Sequence, residues 1–207
     1  GMVAEEMDAI TALLEVEPNN IELLSDLQAL QLQVGRERDA VTTLLRLHQL
    51  SPSSTWLSML GHIYLRLGFV TEAITSLQQA LQLNPEDTSP HESLAEIYKQ
   101  RGMHEDAIRS YNVIIQRNPD DIKAHLALGE LYHELGRVND QIASLKQAIS
   151  LGASDPRLFL ELGSLLLQDG DSDNGLAYLQ QAKEQSGGSE EFLTGLVDIY
   201  LMHNFHQ

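Results

Sequence analysis

The stretch Ser54–Asp87, STWLSMLGHIYLRLGFVTEAITSLQQALQLNPED, decides the fold. Its first half carries Leu57, Leu60, Tyr64, Leu65 and Leu67. That spacing lays a broad apolar stripe along one face of a helix over about 54–67. Ser54 and Thr55 are suited to cap its start, because their hydroxyls accept from free backbone amides. Gly68 stops it, since glycine tolerates the left-handed backbone that a helix end often needs. A second helix is expected from about Thr71, with Ala73, Ile74, Leu77, Ala80, Leu81 and Leu83 as its stripe. Pro85 ends it by disfavouring a helical Asn84. A lone hairpin cannot cover both stripes, so such a unit needs neighbours.

The neighbours are written into the chain as a period. Turn glycines stand at Gly35, Gly68, Gly102, Gly136 and Gly170, spaced 33, 34, 34 and 34. Prolines stand at Pro18, Pro52, Pro85 and Pro119, spaced 34, 33 and 34. A Leu-Gly pair falls at 60–61, 128–129 and 162–163, with Leu94-Ala95 between them. A tyrosine follows at Tyr64, Tyr98, Tyr132 and Tyr200, and a small residue opens the second helix at Ala40, Ala73 and Ala107.

A helix-turn-helix period of 34 with these large and small positions resembles the tetratricopeptide repeat (TPR) family over 3–203. The expected fold is all-α, a right-handed α-solenoid forming one domain. It would comprise a half-repeat at 3–20, repeats at 21–53, 54–87, 88–121, 122–155 and 156–189, and a last helix at 190–203. There are departures from the family pattern. The aromatic near the start of the first helix is Leu24, Leu57, His91, His125 and Phe159, with Trp56 one residue early. The small residue opening the second helix becomes Gln141 in the fourth repeat and Gly175 in the fifth. Gly152-Ala153 replaces the Asn-Pro turn after the fourth.

Composition bounds the function. The net charge of −17 opposes binding to nucleic acid and to anionic membrane surfaces. There is no cysteine, hence no disulfide or thiol chemistry. No apolar run approaches the ~20 residues of a spanning helix, and no secretory leader is apparent, so a cytoplasmic location is expected. There is no HExxH, no glycine-rich phosphate loop and no CxxC. His125 and His133 are too far apart on one helix to chelate together, and His203 with His206 reads as a surface pair. Glu92/Glu96 and Glu130/Glu134 read as solvated carboxylates. No enzyme activity, metal or cofactor is expected.

The resemblance implies that the free face of the first helices contacts a ligand. In this chain that face holds Met59, His62, Leu65, Arg66, Glu92, Glu96, Lys99, Leu126, Glu130, His133 and Leu160, with Ser58, Ser93, Glu161, Ser164 and Leu167 beside them. Some family members grip acidic tails with paired Lys, Asn and Arg. Here the matching pairs are Ser25/Ala29, Ser58/His62, Glu92/Glu96 and Leu126/Glu130, so that clamp is absent. The asparagine ladder of sugar-transferring relatives is replaced by Asp26, Met59, Ser93, Ala127 and Glu161. What remains mixes apolar steps with carboxylates, suited to a basic, amphipathic peptide. The expected function is a non-catalytic scaffold that binds a peptide or partner protein in a concave groove. The alternatives are a regulatory or targeting segment of a larger enzyme or secretion-system protein, or a self-assembling module. The latter would act through 190–203, where Phe192, Leu193, Leu196, Val197, Ile199, Tyr200, Leu201 and Met202 make the helix apolar on most sides, behind a Gly187-Gly188 hinge.

Overall fold

A computed structural model of the chain describes residues 2–187 and 190–202, the side chains of 190–193 and 200 excepted. Gly188, His203 and His206 therefore lie outside the described residues, as do the side chains of Phe192, Leu193 and Tyr200. The described residues form helices without strands, in helix-turn-helix order. They fall into two compact units, Gly1–Gly102 and Met103–Gln207.

The first unit holds α1 (Met2–Val16), α2 (Ile21–Gln33), α3 (Glu37–Leu50), α4 (Ser54–Arg66), α5 (Val70–Leu83) and α6 (Ser89–Gln100). Each helix packs on the next, and α4 also touches α6, first helix against first helix. The core gathers Leu24, Leu44, Leu47, Leu57, Leu60 and Ile63, with Trp56, Met59 and Tyr64 half-buried against it. Helix ends follow the local chemistry. The cap of α4 is Ser53 rather than Ser54 or Thr55: its side chain accepts from the Thr55 amide, one residue before the expected start. No side chain caps α5, which begins at Val70. At Gly68 the chain turns with φ +80°, and the Phe69 amide donates to the Tyr64 carbonyl at 2.8 Å. That bond closes the helix end in the Schellman pattern. Leu83, the last residue of α5 and the last of its stripe, is 51% exposed.

The second unit holds α7 (His104–Arg117), α8 (Ile122–Glu134), α9 (Val138–Ser150), α10 (Pro156–Gln168), α11 (Ser172–Gln185) and α12 (Glu190–Met202). Consecutive helices again pack in order. One core cluster joins Ile142, Leu145, Leu162, Leu165 and Leu166, and another joins Leu167, Leu179, Leu196 and Ile199. Gly152, which replaces the Asn-Pro turn, has φ +106°. So the chain turns there by glycine's freedom instead of by proline's restriction.

The Leu-Gly pair has a steric reason. A Cβ built on Gly61 would stand 2.6 Å from Leu77 Cγ, and one on Gly163 would stand 2.7 Å from Leu179 Cδ2. In both of these hairpins a leucine of the second helix is seated in a notch of the first. Gly129 opposite Leu145 is looser, at 3.3 Å. This seat brings the two helices close and sets which face of the first helix is left over.

Candidate functional site

The left-over face is divided between the units. In the first, α4 and α6 present Met59, His62, Leu65, Arg66, Glu92, Glu96 and Lys99. His62 is exposed and its Nε2 lies 2.7 Å from Ser93 Oγ, bridging α4 to α6. Ser93 donates its own proton to the Ser89 carbonyl at 3.3 Å, so the His62 N–H is the donor in the bridge. Arg66 is exposed, but its Nε is 2.7 Å from Glu37 Oε1 on α3. Its charge is thus shared with the preceding hairpin. Glu92 and Glu96 are exposed, and Glu96 accepts from Gln100 at 2.8 Å. Lys99, Leu65 and Met59 are half-buried. Ser58, expected beside them, is 9% exposed with its hydroxyl unpartnered, so it belongs to the interior.

The second unit holds a concavity. Between α8 and α10 lies an open cleft of about 630 Å³, with Gln141 of α9 at its wall. Glu130, His133 and Glu134 line it from α8, and Glu161, Ser164, Leu165 and Gln168 line it from α10. The helical period explains the convergence: 130, 133 and 134 share one face of α8, and 161, 164, 165 and 168 share one face of α10. Glu134 Oε2 is 3.0 Å from His104 Nδ1, within ion-pair range though outside hydrogen-bond geometry. Glu161 accepts from Gln141 Nε2 at 2.6 Å. With three carboxylates, the cleft favours cations and opposes anions.

The expected apolar steps are smaller than the sequence suggests. Leu126 is half-buried against the Ile142–Leu166 cluster, and Leu160 against the Leu167–Ile199 cluster. Leu167, expected on the free face, is 6% exposed and packs over Gly175. Gly175 has no side chain of its own, and the leucine fills that space. Sequence reasoning placed Glu130, His133, Glu161 and Ser164 on this face but not Glu134, Leu165, Gln168 or Gln141, and Gln141 is the one that reaches it from a second helix. The signal was present, a glutamine where earlier repeats have alanine, but periodicity marks the slot and not the direction of a long side chain.

Among the described residues, no group of three His, Asp or Glu side chains gathers to hold a metal ion. His125, which stands at the family's aromatic slot, is buried with Nε2 2.9 Å from the Pro119 carbonyl. Among the described residues, no helix is long and apolar enough to cross a membrane.

Comparison with known proteins fits this geometry. A family model described as "TPR repeat" matches residues 61–102 and 95–136, and one described as "Tetratricopeptide repeat" matches 126–190. A search of curated proteins gives no significant match. Among solved structures, a MamA protein superposes with TM-score 0.64 at 26% identity, over 73% of this chain and 83% of that one. MamA 41-end from Desulfovibrio magneticus RS-1 gives 0.64 at 16% identity, over 82% and 97%. YrrB, described as a TPR protein with an unusual peptide-binding site, gives 0.68 at 15% identity, over 91% and 97%. At such identities the last two speak for the fold alone. The period, the seated leucines, the glycine turns and the matched models agree: the chain belongs to the tetratricopeptide repeat family.

Proposed function

We propose that the chain is a non-catalytic scaffold that binds a basic, amphipathic peptide segment of a partner protein on the faces of its first helices. The observation that carries this reading is the cleft between α8 and α10, where Glu130, Glu134 and Glu161 converge beside His133 and Leu165. On the first unit, Glu92 and Glu96 carry the same sign, with Met59 and Leu65 as partly exposed apolar contacts. Family membership supports a protein or peptide ligand. The net charge of −17 supports a basic one and opposes nucleic acid.

The test is an acetylated peptide alternating leucine with arginine, titrated into the protein and into the Glu96→Lys and Glu130→Lys variants. Binding should weaken about tenfold in the Glu130→Lys protein, because a surface attraction becomes a repulsion. It should also weaken with added salt, which screens exposed charges over a Debye length of ~10 Å at 0.1 M. Equal affinity for all three proteins would refute the charge argument.

A second reading, self-association through the last helix, is favoured by one observation. Leu196 and Ile199 are buried, yet Val197, Leu201 and Met202 remain 51%, 55% and 75% exposed.

A further inference from the structure

The fourth repeat departs from the first three at one buried position. The slot that holds Ala40, Ala73 and Ala107 holds Gln141, whose side chain is 1% exposed. A long polar side chain is costly there unless its amide finds partners. Nε2 donates to Glu161 Oε1 at 2.6 Å and lies 3.4 Å from His133 Nδ1. Chemistry fixes which end of the amide is nitrogen: a carboxylate only accepts, so the NH2 group faces Glu161. Its second N–H then points toward His133 Nδ1, which keeps the ring proton on Nε2. Glu161 itself is exposed, and no other protein group among the described residues is bonded to it. One of its oxygens is therefore anchored from inside the repeat, and the other is offered to the cleft.

Resting on the groove reading above, we infer that Gln141 is a positioning residue that makes this cleft selective for the guanidinium of an arginine side chain over the ammonium of a lysine. An exposed glutamate left alone samples several rotamers. An anchored one presents Oε2 in one direction. A guanidinium is a planar fork whose N–H bonds need acceptors at fixed angles, so it gains from that order. An ammonium is a compact charge with rotatable donors and gains little.

The experiment titrates Nα-acetyl-arginine amide and Nα-acetyl-lysine amide into isotope-labelled protein and follows the cleft resonances by NMR. The wild type should bind the arginine probe more tightly. Gln141→Ala restores the alanine of the first three repeats. It should weaken the arginine probe ~2- to 10-fold, the worth of re-ordering one free side chain. It should leave the lysine probe unchanged, so that the ratio of the two approaches one. Glu161→Gln should weaken both probes. A Gln141→Ala protein with the wild-type ratio overturns the inference. If it keeps that ratio while Glu130→Lys weakens both probes, the groove reading stands and this inference alone fails. If neither probe moves a cleft resonance of the wild type, both fail. Should Gln141→Ala not fold, the wild type decides. The Gln141 side-chain amide protons should be protected from exchange and should shift on adding the arginine probe, and free exchange without a shift overturns the role.

Discussion

At the scale of single residues, two groups make the sharpest demands. His91 stands in the family's aromatic slot, half-buried, with Nδ1 unpartnered. Burial pushes its pKa below the usual 6.5, and Asp87 draws it part of the way back. Above 6.5 the ring is neutral whether the chain is folded or not, and it contributes no pH dependence. Below 6.5 the unfolded chain takes up a proton that the folded chain resists, so stability falls until the lowered folded pKa is passed. His91→Phe, matching Phe159 of the fifth repeat, removes this dependence. Between about pH 7.5 and pH 5 the thermal midpoint should therefore drop more in the wild type than in the variant, and equal drops would discount the buried ring. Leu94 and Leu128 are 3% and 4% exposed. Truncating either to alanine should cost ~2–5 kcal/mol by lost transfer energy and residual cavity, read from denaturant unfolding.

At the scale of elements, the hairpin was legible because its determinants are local. Turn glycines, prolines and the apolar period each act within a few residues, so the helices fall where the spacing placed them, and caps differ by only a residue. Gly136 shows how local the turn is. Its φ is +67°, yet a Cβ there would meet nothing within 4 Å. Substitution is thus penalised by backbone strain alone. Gly136→Val should lose ~1–3 kcal/mol, and Gly136→Asn clearly less, because asparagine tolerates the left-handed region. Equal losses in urea unfolding would mean that the turn is held by packing instead. The site was less legible. Whether Ser58 and Leu167 face a ligand or the core depends on the neighbouring helix, and no period within one helix records that. Gln141 makes the same point from the other side. Its slot was visible in the sequence, but its reach to Glu161 on the first helix of the next hairpin was not.

At the scale of the whole molecule, charge and exposed apolar surface act against each other. A net charge of −17 keeps copies apart, while Val197, Leu201 and Met202 offer them a contact. If the contact wins, the sedimenting mass should rise with protein concentration and with salt, and Val197→Lys with Leu201→Lys should abolish the rise. A constant monomer mass would remove self-association through this helix. The seated leucines carry a further consequence for assembly. Leu77 over Gly61, Leu145 over Gly129 and Leu179 over Gly163 are nearly the same joint made three times. Such a joint carries no mark of which copy it belongs to, and α4 would accept the α5 of another copy as readily as its own. Only the shortness of the link, three residues between Arg66 and Val70, makes the rightful helix the nearest. Lengthening that link would free the two halves to trade partners with another copy, so the tether, more than the fit, decides which chain a helix completes.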